Sequence, residues 1–220
     1  MELEKLQDKG IDQKDFFIKK IKKEIEDIFV ERYRNLGKGI SGLTKSFFID
    51  LEIFKKLLKD NQNKKYCKFY YIQKDTSLNI GICFSDNYQC TIKEKEDKLY
   101  NLLGETIPDE NFIKMKNDFE NGLADKLSPY TNKIKDVLTF YTLEDIQTYF
   151  ETIKNSHPNI TINGLKFNMW QYCPTNIDSR LSAEFIKRNN RISFCVHALF
   201  NKKNDLYDEG DAYDLGNLMP

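Results

Sequence analysis

Residues 66–84 constrain the fold most. YCKFYYIQ (66–73) and LNIGICF (78–84) are rich in aromatic and β-branched residues, and a polar turn around KDTSLN joins them. Two strands this close in sequence pair antiparallel, because a parallel connection needs a dozen or more residues. The later segments GLKFNMWQY (164–172) and RISFCVHALF (191–200) repeat the pattern. A longer polar excursion divides them, with a helical turn expected at 181–188.

Helical periodicity precedes each pair. Over 13–36, Phe17, Ile21, Ile25, Ile28, Phe29, Tyr33 and Leu36 fall on one stripe. Lys19, Lys20, Lys22, Lys23, Glu24, Glu26 and Asp27 are assigned to the opposite, solvated face. After a flexible GISGLTKS connection, Asp50 caps a helix at 51–61. Thr142 caps one at 143–155, with Asp145 placed for a capping box. Further helices are expected at 94–103 and 109–125. The fold class is therefore α+β, with antiparallel hairpins backed by helices.

The two halves, 1–104 and 105–203, read as related helix–strand–strand units within one compact chain. At one constant spacing Phe48 falls on Phe140, Leu51 on Leu143 and Glu52 on Glu144. After insertions Lys68 and Phe69 fall on Lys166 and Phe167, and Ile80 and Cys83 on Ile192 and Cys195. The tail 204–220 is acidic and is expected to be solvated, with Tyr213, Leu215 and Leu218 able to pack as an arm. Its spacing does not fit a calcium-binding loop, because Tyr207 and Gly216 fall where oxygen ligands are required.

Strand alternation splits each hairpin into two faces. Cys67, Phe69 and Tyr71, with Leu165, Phe167 and Met169, suit the core. Lys68, Tyr70, Lys166, Trp170 and Tyr172 share the other face. If open, that face offers aromatic platforms and cations to a partner, and Tyr70→Ala or Trp170→Ala would abolish binding without unfolding the chain. Another protein is the first expectation, since Tyr and Trp concentrate at interface centres. Single-stranded nucleic acid or a nucleotide is the alternative, by base stacking and phosphate contacts. The balance of 34 basic against 34 acidic residues disfavours it.

A hydrolase-type enzyme is the third reading. Cys195 and His197 lie on one strand face, but neighbours two apart are roughly 6–7 Å apart at Cα, long for a nucleophile–base pair. His157, before Pro158 in a turn, is the only other histidine. No CxxC, HExxH, GxSxG or phosphate loop occurs, and no metal or cofactor is expected. Five cysteines, an odd number, argue against a secreted disulfide framework. The N-terminal MELEKLQDKG lacks the apolar run of a signal peptide. The expectation is a cytoplasmic, non-enzymatic binding or regulatory protein, of the inhibitor, immunity or adaptor kind, without membrane attachment.

Overall fold

A computed structural model describes residues 19–203, 206–214 and 216–220. Residues 13–18 of the expected first helix, including Phe17, lie outside it, as do Asp205 and Leu215 of the tail. The element order is β1 (Lys19–Ile21), α1 (Lys23–Leu36), β2 (Ser46–Asp50), α2 (Leu51–Asp60), β3 (Tyr66–Lys74), β4 (Ser77–Ser85), β5 (Lys98–Tyr100), α3 (Asp109–Glu120) and α4 (Leu123–Leu127). It continues with β6 (Leu138–Thr142), α5 (Leu143–Ser156), β7 (Ile162–Gln171), α6 (Ser182–Lys187), β8 (Ile192–Lys203), β9 (Leu206–Glu209), β10 (Ala212–Asp214) and β11 (Asn217–Met219). The protein is mixed α+β, with antiparallel sheets and helices packed on them.

Two sheets stack face to face. The first runs β1-β10-β8-β7-β2, with β9 also on β8; the second runs β11-β6-β3-β4-β5. The inner faces carry the residues that alternation assigns to the core. Phe69 of β3 meets Phe167 and Phe194, on β7 and β8, at centroid distances of 5.2 and 5.8 Å. Leu165 and Met169 join that core, as do Cys67 and Tyr71. Helices α2 and α5 contribute Phe54, Leu57, Ile146, Tyr149 and Ile153 to the same cluster.

Local chemistry starts these two helices. The Asp50 carboxylate accepts from the Glu52 and Ile53 amides at 2.8 and 3.2 Å. Thr142 and Asp145 form the reciprocal capping box, satisfying otherwise orphaned backbone donors.

A strand, not foreseen in the sequence, precedes each capped helix and pairs across to the other half. Strand β2 pairs with β7, placing Phe48 opposite Lys166; β6 pairs with β3, placing Phe140 opposite Lys68. On the next strands, Lys68 lies opposite Cys83 and Lys166 opposite His197. Cys195, which the sequence set against Cys83, lies opposite Asn168 instead, so the register does not reproduce that match.

Three further expectations are corrected. Residues 98–100 form a strand in place of a helix over 94–103; a turn precedes it, in which the Asp97 carboxylate accepts from the Lys93 amide at 3.0 Å. The GISGLTKS connection is tied to β4: the Leu78 amide donates to Gly42 O at 2.8 Å and Thr44 Oγ1 to Leu78 O at 2.6 Å. The tail is not a solvated end. It makes three short strands that pass from the first sheet to the second, burying Ala212, Tyr213 and Leu218. Its acidic side chains meet cations, Asp211 with Lys20 at 2.6 Å and Glu209 with Lys166.

Candidate functional site

Helices and a loop cover the outer sheet faces over Lys68, Tyr70, Trp170 and Tyr172, which overturns the open aromatic–lysine face there. Trp170 and Tyr172 are fully buried under α1 and α6. Phe29 of α1 packs edge-on against both, at 5.4 and 5.5 Å, and against Phe185 of α6 at 5.0 Å. Tyr70 is fully buried against Phe112 of α3 at 5.6 Å. Gly81 on β4 makes this approach possible, since a Cβ there would lie 2.4 Å from the Phe112 ring. Lys68 is also buried. Of the five, Lys166 alone reaches solvent in part, beside Phe48 and in its pair with Glu209. Large aromatics on both strand faces signal a sheet lying between two layers.

Lys68 and Tyr70 instead hold a loop in place. Lys68 Nζ donates to Gln89 O at 2.9 Å and to Asn87 Oδ1 at 3.3 Å; Tyr70 OH donates to Cys90 O at 2.9 Å. Burial lowers the Lys68 pKa, since a desolvated ammonium held by neutral acceptors is disfavoured. The loop carries Tyr88, which is 49% exposed. Tyr88 stacks on Phe140 at 6.0 Å and meets Tyr66 edge-on at 6.2 Å, while Tyr66 contacts Phe140 at 5.8 Å. Three rings thus form a connected aromatic platform at the surface of the second sheet.

The outer face of the first sheet holds a buried polar cluster that sequence reasoning found only in part. Cys195 Sγ lies 3.5 Å from His197 Nε2, so side-chain reach closes the gap that Cα spacing implied. The third member is Glu26 of α1, whose Oε1 is 2.8 Å from His197 Nε2 and 3.8 Å from Cys195 Sγ. All three are buried. Glu26 was assigned to the solvated face and Ile28 to the core; the helix is rotated so that Glu26 points in and Ile28 is 42% exposed. The signal was present: Glu26 precedes Phe29, Val30 and Tyr33 by three, four and seven residues, the spacing of one helix face.

Asn168, opposite Cys195 on β7, donates to Glu26 Oε1 at 3.3 Å. Lys23 reaches Glu26 Oε2 at 3.2 Å. Burial opposes ionisation of Glu26, but the hydrogen bond and charge of His197, aided by Lys23, outweigh it and hold the carboxyl at about 2. His197 Nδ1 lies 2.8 Å from Gly210 O, a carbonyl that can only accept, so this nitrogen carries hydrogen. Nε2 and Glu26 Oε1, 2.8 Å apart, share one proton between them.

This arrangement differs from a nucleophile–base–acid triad, in which sulfur and carboxylate contact opposite ring nitrogens. Here both face Nε2. His157 takes no part in it: it caps the end of α5, and its ring lies tilted against Phe200 at 4.9 Å.

Compared with protein-family models, curated proteins and solved structures, the chain matches none of them. Among the described residues, no helix is long and apolar enough to cross a membrane.

Proposed function

We propose that the chain is a non-enzymatic protein-binding or regulatory protein of the inhibitor, immunity or adaptor kind, and that its partner docks on Tyr66, Tyr88 and Phe140. The supporting observation is the platform itself: three rings in mutual contact, the most exposed of them on a loop fastened from beneath by Lys68 and Tyr70. Tyrosine is favoured at binding hot spots, and a loop already held in place loses little entropy when a partner orders it. An intracellular setting belongs to this reading; all five cysteines remain thiols, as a reducing compartment keeps them. So does a duplicated origin of the two halves, supported by the Phe48–Lys166 and Phe140–Lys68 pairings.

The alternatives lose their warrants. Nucleic-acid binding relied on Lys68, Tyr70, Lys166, Trp170 and Tyr172; the covering layers seal all but Lys166, which is paired with Glu209. Hydrolysis at Cys195 would require α1 to lift before any substrate reached the sulfur.

A photoreactive phenylalanine analogue replacing Tyr88, introduced in cells of the native host, is expected to yield one discrete adduct. The same analogue at Leu103, an exposed site outside the platform, should yield none. No adduct at 88, or the same adducts from both positions, would overturn the assignment.

A further inference from the structure

We infer that Glu26, Cys195 and His197 form a structural site for one divalent transition-metal ion of the zinc class, which clamps α1 onto the first sheet. The inference is independent of the partner surface proposed above. Carboxylate oxygen, imidazole nitrogen and thiolate sulfur are the donors that zinc accepts. Bond lengths near 2.0–2.1 Å to N or O and 2.3 Å to S, at tetrahedral angles, separate sulfur from either light donor by about 3.6 Å and N from O by about 3.3 Å. The observed separations are 3.5 and 3.8 Å from sulfur and 2.8 Å between Nε2 and Oε1. Two edges of the triangle already fit, and the third opens by about half an ångström when a cation replaces the proton between them.

The surroundings complete the argument. Metal-bound histidines commonly donate their other nitrogen to a carbonyl, and metal-bound carboxylates are themselves hydrogen-bonded. His197 Nδ1 donates to Gly210 O, and Glu26 Oε2 accepts from Lys23 Nζ. Asn168, half-buried at the edge of the cluster, donates to Glu26 Oε1 at 3.3 Å, and the fourth tetrahedral position falls to a water. Charge balances as well. With a dication bound, the carboxylate and the thiolate bring two negative charges and the neutral imidazole none, so the filled site sums to zero. Any proton held on Nε2 or Sγ leaves to solvent as the ion enters, because both ligands bind deprotonated. Burying uncompensated charge is what would forbid binding here, and the exchange avoids it.

The full chain is produced in cells supplied with Co2+ and then washed with chelator. The expected result is one retained cobalt per chain, with a thiolate-to-cobalt charge-transfer band in the near ultraviolet. The band should disappear in Cys195→Ser and persist in Cys173→Ser. X-ray absorption of the wild type supplies a test that needs no variant: one sulfur with nitrogen and oxygen neighbours supports the site. A sphere without sulfur marks an adventitious surface ion and overturns the inference, as does failure to retain cobalt or a band that survives Cys195→Ser.

Discussion

Trp170→Ala lowers the stability of the folded chain by about 3–5 kcal/mol, the usual cost of emptying a large aromatic site in a packed core. Trp170 is fully buried, and its ring contacts Phe29 and Tyr172 at 5.4 and 5.3 Å. Phe29 in turn touches Phe185, so one indole helps seat both α1 and α6 on the sheet. Folded domains are typically stable by about 5–15 kcal/mol, so a loss of this size moves the unfolding midpoint well down. Trp170 is the only tryptophan, so urea unfolding is best followed by far-ultraviolet circular dichroism. Trp170→Phe, which keeps an aromatic ring there, should cost clearly less. A change within about 0.5 kcal/mol for the alanine variant is what an exposed side chain gives, and would mean that α1 does not cover this face.

In the metal-free chain, Glu26→Gln removes one partner of the buried Glu26–His197 pair and is expected to cost about 3–5 kcal/mol, because His197 loses the hydrogen-bonded anion beside it. The wild type carries a matching acid signature. Glu26 is held at about 2 in the folded chain, below its ordinary value of 4.5. A carboxyl depressed on folding contributes stability that is complete above its unfolded pKa and is lost as pH falls through the folded value. Stability should thus decline between about pH 4.5 and 2, and Glu26→Gln should flatten that part of the profile. Denaturant midpoints measured across this range for both proteins, kept metal-free with chelator, check the slope. Parallel curves would show that Glu26 is not ionised against His197 in the folded state.

The sequence made the hairpins legible because period-two alternation marks which side chains face inward. It made α2 and α5 legible because Asp50 and Thr142 satisfy helix-end amides locally. Between-sheet exchange of β2 and β6 left little trace. SFFID and LTFYT are too short to show a period, and their pairing partners lie in the other half of the chain. The outer faces were misread for a different reason. Lys68 and Lys166 made the faces look wet, although Tyr70, Ile72, Trp170 and Tyr172 beside them are too apolar for open water. Local spacing cannot reveal that neutral loop oxygens receive the Lys68 ammonium. Glu26 was hidden by its charge type, since an acidic residue in a helix ordinarily faces solvent. Cys195 and His197 stood out at once, but the carboxylate that gives them meaning arrives from a helix in the other half of the chain.

Hydroxyl-radical footprinting of the folded, full-length chain tests most directly which aromatic side chains meet a partner and which hold the molecule together. The expected pattern is rapid oxidation at Tyr88, with Tyr70, Trp170 and Tyr172 protected until denaturant unfolds the chain. Oxidation of Trp170 and Tyr172 as fast as Tyr88 would contradict it. That outcome would place the first sheet's outer face in solvent and return the binding surface to the aromatic–lysine face.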